Sequence, residues 1–237
     1  DPLENLTNDA FLLDAVLPTL DANSIASFKL ESSNQESSIL EQAAFKVHSV
    51  SELSENESLL SQIFSLLVTA HYQTTPSDLK QLLENPKITV VSFELSNTKV
   101  GVALLMSEGH KDATAIDSIR NNKRRLRDQF LPQSLLTQCG KKNAFAYQYL
   151  RIMRIAIHPE VQGNRLGSAF LESIERYARD EGYDFTGSSF GCNYDLLNFW
   201  FKSGYRIARV GFTKDKASGE HSALVLKGIC KGPDISA

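Results

Sequence analysis

Leu150-Arg151-Ile152-Met153-Arg154-Ile155-Ala156-Ile157-His158-Pro159-Glu160-Val161-Gln162-Gly163-Asn164-Arg165-Leu166-Gly167-Ser168 is the stretch that decides the fold. Leu150–Ile157 is mostly apolar and reads as a strand covered on both faces. From Leu166 onward, Phe170, Leu171, Ile174, Tyr177 and Ala178 recur at helical spacing, and the stripe stops at Gly182. Between strand and helix lies a turn containing glycine. Such a turn aims free backbone N–H groups and the positive end of the helix dipole at one spot, which suits an anionic group such as a pyrophosphate. Gly163 and Gly167 permit close backbone approach, and Ser168 adds a hydroxyl donor. A purely structural strand–helix turn carries the same local signature, so the turn alone does not decide between the two.

Further out, the pattern is mixed. Phe45–Val50 reads as a strand, and Leu60, Ile63, Phe64 and Leu67 mark a helix over Glu52–Ala70. Thr75-Pro76-Ser77-Asp78 carries the signature of a helix start, with Thr75 as cap and Pro76 at the first helical position; that short helix is expected to end near Glu84. Ile88–Leu95 and Lys99–Met106 form a hairpin across Ser96-Asn97-Thr98. Residues 108–148 interrupt the strand pattern with a basic, partly helical insertion. After the deciding helix come a strand (Asp184–Phe190), a short helix (Asp195–Ser203) and two strands (Tyr205–Thr213, His221–Leu226). The order predicts an α+β class with a mixed sheet.

Composition narrows the class. The 237 residues are 42% hydrophobic, enough for one sizeable core. No run of 18 apolar residues predicts a membrane span. Cys139, Cys192 and Cys230 match neither a disulfide framework nor a zinc pattern, which points to a reducing, cytoplasmic setting and no metal. The net charge of −3 is unevenly spread: residues 1–60 carry −9, whereas residues 110–142 carry +5. That local reversal is what a surface facing a polyanion shows, and also what a solvated helix face shows. Asp1-Pro2-Leu3-Glu4 has no start methionine and reads as the cut edge of a longer polypeptide.

Gln162–Gly167 resembles the signature Q/R-x-x-G-x-G/A of the GNAT acetyltransferases, whose loop binds the pyrophosphate of coenzyme A. Asn193, Leu196, Phe199, Gly204 and Tyr205 resemble the second motif of that superfamily, N-x-x-A-x-x-[LF]-Y-x-x-x-G-[FY]. The resemblance implies a GNAT (acyl-CoA N-acyltransferase) fold, a mixed, mostly antiparallel sheet flanked by helices, with acetyl-CoA as cofactor. It places Ile155, Ala156 and Ile157 along the pantetheine arm. Gln162, Gly163, Asn164, Arg165, Leu166, Gly167 and Ser168 would then hold the pyrophosphate, and Asn193 and Trp200 would line the far side. Two positions depart from the pattern. Arg165 replaces the first signature glycine, which is tolerable if the residue is right-handed helical, its guanidinium then reaching for a phosphate. Trp200 replaces a tyrosine that many members use to protonate the departing thiolate, so no general acid is carried over.

Ala70–Leu79 (AHYQTTPSDL), Leu131–Leu135, Arg151–Pro159, Gly187–Gly191 and Ser218–Leu224 are similar to segments of the RNA cytidine acetyltransferases, in particular the bacterial branch acting on tRNA(Met). The likeness covers most of the chain and is densest from 65 to 227. It implies an acetyltransferase module making N4-acetylcytidine in RNA, at the wobble cytidine of elongator tRNA(Met). Residues 1–43 would be a peripheral segment ending a helicase-like ATPase module, 44–230 the acetyltransferase domain, and 231–237 a tail. No G-x-x-x-x-G-K-[ST] is present, so ATP hydrolysis by that route is not expected of this chain.

The exocyclic amine of cytosine shares its lone pair with the ring, so its attack on a thioester needs a base. His71, in the segment where the superfamily places its acceptor site, is the candidate; a helix-end role bonding a free carbonyl is the alternative. His221 is the rival, and His158 beside Pro159 is expected to shape the turn. Lys123, Arg124, Arg125 and Arg127 are expected to position RNA through its phosphates, with no membrane partner. Two other readings stay open: an N-acetyltransferase acting on a small-molecule or protein amine, and a non-catalytic acetyl-CoA-binding module.

Overall fold

The computed structural model describes residues 43–70, 84–95, 97–109, 116, 119, 126–215 and 219–230. Two compact units divide the chain, one made of Asp1–Leu105 with Arg154–Ser173, the other of Met106–Met153 with Ile174–Ala237. The strands are β1 (Ala43–His48), β2 (Ile88–Leu95), β3 (Thr98–Gly109), β4 (Gln148–Ile157), β5 (Phe185–Gly191), β6 (Arg206–Lys214) and β7 (His221–Gly228). They hydrogen-bond in the order β1-β2-β3-β4-β5-β7-β6. Of the pairings, β4–β5 is parallel, whereas β1–β2, β5–β7 and β6–β7 are antiparallel. The helices are α1 (Val50–Glu55), α2 (Glu57–Ala70), α3 (Phe130–Gln138), α4 (Leu166–Asp180) and α5 (Tyr194–Lys202). None of the described helices is long and apolar enough to cross a membrane.

In the first unit, β2 occupies the expected residues, and the hairpin turn to β3 is made by Asn97 at φ 64°, a left-handed conformation that asparagine tolerates. The single helix expected over Glu52–Ala70 is two helices. Asn56 is extended there, and its Oδ1 accepts the Leu59 N–H at 3.0 Å, so it caps α2 while ending α1. Apolar periodicity runs across this break unchanged, which is why the sequence pattern does not reveal it. Leu60, Ile63, Phe64 and Leu67 of α2 are fully buried, as are Val91, Phe93, Val100 and Val102–Leu105, and Gly101 among them is buried too. Phe170, from α4, stacks on Phe93 at 5.1 Å. Gly101 makes that packing feasible: a Cβ there would lie 2.8 Å from Ile157 Cδ1 and 3.1 Å from Phe170 Cδ1. The short helix expected from Thr75 falls mostly outside the described residues.

The second unit is organised by α3. Leu131, Leu135 and Leu136 pack with Phe145, Tyr149, Phe185, Leu224 and Leu226. No side chain near in sequence caps α3; the carboxylate of Glu108, on β3, accepts the Leu131 N–H at 2.7 Å and faces Arg151 Nη1 at 3.1 Å. Burial pushes the Glu108 carboxyl up, against the pull of Arg151 and of the two helix N–H groups. Arg151 in turn lies over the Phe130 ring at 5.0 Å. α4 ends where expected, with Gly182 at φ 78°.

Candidate cofactor site

The site is built on the end of β4 and the start of α4, within the first unit. Ala156 is buried, while Ile155 and Ile157 are half-buried. The His158 N–H bonds the Val100 carbonyl at 2.8 Å, fixing the strand end to β3. His158 Nδ1 accepts the Glu160 N–H at 3.3 Å and so caps a single 3₁₀ turn, Pro159–Val161, whose Val161 is fully buried. The expected turn-shaping role of His158 is therefore what the geometry gives. The loop then folds back on itself. Gln162 Nε2 donates to the Ile157 carbonyl at 2.9 Å, and Asn164 Nδ2 lies within reach of the carbonyls of Val161 (3.2 Å) and Gln162 (3.3 Å). These side-chain bonds hold the loop without using its backbone N–H groups.

Gly163 sits at φ 80° with nothing within 4 Å of where a Cβ would stand. Arg165 sits at φ 60°, so the right-handed conformation under which its side chain was expected to be tolerated is not the one adopted. The position needs a left-handed residue to swing the chain into α4, which glycine supplies freely and which costs an L-residue roughly 1–2 kcal/mol. Its carbonyl accepts the Ala169 N–H at 3.0 Å, closing the first helical turn. In that turn the N–H groups of Leu166, Gly167 and Ser168 have no helical carbonyl to bond, and no acidic residue offsets the dipole. Gly163 and Arg165 are exposed, Gly167 and Ser168 half-buried, so the turn is open to a ligand. Its chemistry fits a diphosphate: amide donors, a hydroxyl, a guanidinium and no carboxylate.

The other expected residues are distributed as follows. In the second unit, Asn193 is the N-cap of α5, its Oδ1 accepting the Leu196 N–H at 2.9 Å. Trp200 is only 3% exposed and is enclosed by Phe190 (stacked, 5.7 Å) and by Tyr205 and Phe199 (edge-on, 4.7 and 5.4 Å). Tyr205 is itself tied to Thr186 through its hydroxyl at 2.8 Å, and burial raises its phenol well above the ordinary range. His221 Nδ1 donates to the Gly211 carbonyl at 2.8 Å across the β6–β7 ladder. Arg127 is exposed in the turn before α3; His71, Lys123, Arg124 and Arg125 lie outside the described residues. Among the described residues, no three His, Cys, Asp or Glu side chains gather to hold a metal.

The sequence reading missed a buried polar chain in the first unit. His48 Nε2 lies 2.8 Å from Ser92 Oγ, which is 3.3 Å from Glu94 Oε1, and Glu94 is bridged by Lys46 (2.6 Å) and Lys99 (3.2 Å). His48 Nδ1 is 3.2 Å from Glu52 Oε1 but not aligned for a hydrogen bond. Burial acts to raise the Glu94 carboxyl, yet the two lysines prevail and hold it below its ordinary value. The chain lines a cleft of about 290 Å³. No local motif announces it, because His48 and Ser92 are 44 positions apart and meet only through β1–β2 pairing.

Solved structures define the fold class. A GNAT family acetyltransferase from Elizabethkingia anophelis, with acetyl-CoA bound, superposes with TM-score 0.52 at 14% identity, covering 79% of this chain and 98% of that one. The ribosomal-protein-S18-alanine N-acetyltransferase of Escherichia coli gives 0.51 at 9% identity, covering 81% and 97%. The fold is that of the GNAT acetyltransferases. Within that fold, residues 62–183 and 178–230 match the family GNAT acetyltransferase 2, to which this chain belongs. Similar curated proteins are the tRNA(Met) cytidine acetyltransferases TmcA of Nitrosococcus halophilus (37% identity over 95% of this chain and 29% of that protein) and Vibrio cholerae (34%, 96% and 30%). That of Haloferax volcanii is 33% identical over 96% of this chain and 28% of its own length. The chain thus spans under a third of the length of these relatives.

Proposed function

We propose that this chain is an acetyltransferase module that moves an acetyl group from acetyl-CoA to the exocyclic amine of a cytidine in tRNA. The product is N4-acetylcytidine, at the wobble cytidine of elongator tRNA(Met), made in the cytoplasm. The carrying observation is the uncompensated first turn of α4 behind Gln162–Gly167, in a chain whose curated relatives at 33–37% identity are named for this reaction.

In this reading, the amides of Gly163–Ser168 and the Arg165 guanidinium hold the diphosphate, and Ile155, Ala156 and Ile157 carry the pantetheine arm along β4. Trp200 has no proton to give near neutral pH, so departure of the thiolate relies on water or on a group outside this set. Acetyl-CoA held there supplies the activated acetyl group. His71 removes the proton from the cytidine amine, a base contribution of typically ~10²–10⁴-fold. Lys123, Arg124, Arg125 and Arg127 position the RNA through its phosphates, and a helicase-like ATPase module completes the full-length protein.

The test is mass spectrometry of tRNA nucleosides after incubation with acetyl-CoA, with calorimetry of acetyl-CoA binding alongside. N4-acetylcytidine that falls about 10²–10⁴-fold in His71→Ala, with cofactor affinity retained, is the expected result. Acetyl-CoA binding without acetylated tRNA would leave a non-catalytic module; acetylated polyamine or peptide instead of tRNA would change the acceptor; an unaltered His71→Ala would remove the base.

A further inference from the structure

The second unit carries a basic row that the sequence reading did not assign. Among the described residues, β6 is the last strand in the sheet order and pairs with β7 alone, so no other described strand covers its outer edge. Its nine residues include Arg206, Arg209 and Lys214 and no carboxylate. Arg206 stands opposite Leu226 and Arg209 opposite Leu224. Both leucines belong to the α3 core, and directly opposed residues share a face, so the two arginines lie on the α3 side of the strand. At the end of α3, Cys139 Sγ reaches the Ala208 carbonyl at 3.6 Å, and both Arg209 and Lys141 lie close enough to favour its thiolate against burial. Lys141 and Lys142 are also the last cations of the +5 stretch in the sequence. The basic surface therefore continues from the end of that stretch onto the sheet edge. Further along the same strand Phe212 is 92% exposed, the most exposed large apolar side chain among the described residues.

We propose that the β6 edge, with Arg206, Arg209 and Lys141 for phosphates and Phe212 for a base, is a docking surface for a single-stranded segment of RNA. Cations along a strand that itself carries no carboxylate complement a polyanion, and an exposed ring further along the same strand offers the stacking platform that unpaired bases use. Lys141 lies by the same edge and adds charge without sequence preference. The proposal rests on the tRNA reading for its ligand but concerns residues of the second unit, none of which belongs to the α4 turn.

Fluorescence anisotropy of the whole chain with a labelled tRNA anticodon stem-loop, titrated across salt concentrations, tests it. Arg206→Ala/Arg209→Ala is expected to flatten the slope of log affinity against log salt by about 1.4, at about 0.7 per phosphate contact on a single strand. Phe212→Ala is expected to weaken binding about 5- to 150-fold with the slope kept. Arg209 is half-buried, so near-UV circular dichroism checks each variant, and Arg206→Glu, at an exposed site, provides an independent charge test. An unchanged slope in folded variants overturns the surface, and if the parent chain still acetylates tRNA the enzymatic reading survives. The expected slopes with no acetylation in any assay keep the surface and sink the reaction. No affinity of the parent chain for the RNA overturns the surface. So does a self-association, seen by sedimentation, that Phe212→Ala abolishes while RNA binding persists, because the face then belongs to protein.

Discussion

Replacing Gly101 by alanine puts a methyl group 2.8 Å from Ile157 Cδ1, 3.1 Å from Phe170 Cδ1 and 3.3 Å from Phe93 Cβ. Carbon atoms rest at about 3.5–4.0 Å, so the closest contact is short by about an ångström. Overpacking of this size costs typically 1–3 kcal/mol. The Ile157 contact is the tip of a side chain and can swing, which puts the expected loss at about 1–2 kcal/mol. The swing, however, disturbs the residue whose carbonyl anchors Gln162 at 2.9 Å, so acetyl-CoA affinity is expected to fall as well. Ile157→Val removes the offending carbon and by itself costs about 0.5–1.5 kcal/mol. In the double variant the overlap with Ile157 is gone, so the two losses should fall short of their sum by about 1 kcal/mol. Urea unfolding of the four proteins, followed by circular dichroism, measures that coupling. Additivity within about 0.5 kcal/mol would show that Gly101 and Ile157 do not compete for the same space, and the packing argument would fail.

Three further outcomes follow from the geometry. Arg165→Gly relieves the left-handed strain but adds the backbone entropy of glycine, so its urea stability should stay within about 0.5 kcal/mol of the parent, whereas Arg165→Val should lose about 1–2 kcal/mol more. Asn193→Ala should cost about 1 kcal/mol by uncapping α5, read as a shift in denaturation midpoint. Glu94 has its carboxyl held below the ordinary 4.5, so its contribution to stability is complete above that value and is lost as pH falls through its lowered folded value. Stability measured from pH 6 downward should therefore decline less steeply in Glu94→Gln, and an identical acid limb would contradict the lysine bridges.

What the sequence made legible is local. β2 and α4 could be placed because alternation, helical spacing and a stop at Gly182 all act within a few residues. The loop before α4 could be recognised for the same reason, since a strand, a turn and a helix start are contiguous. Features that depend on distant partners were not readable. α3 was visible only as a partly helical insertion, because its N-terminus is capped from Glu108, more than twenty positions upstream. The break at Asn56 was hidden by apolar spacing that continues through it. Arg165 shows the limit most clearly: the motif said where glycine normally stands, but the chain's sharp entry into α4 sets the backbone angle, and a bulkier residue accepts it. The His48–Ser92–Glu94 chain likewise exists only once β1 and β2 are in register.

The ladder between β6 and β7 slips twice, between Ile207 and Arg209 and again between Val210 and Lys214. A strand with two such irregularities offers its outer hydrogen-bonding groups out of step, and a straight incoming strand cannot match them. The exposed valine, isoleucine and phenylalanine of this margin therefore offer a poor template for a second copy of the chain, which lowers the risk of self-propagating growth.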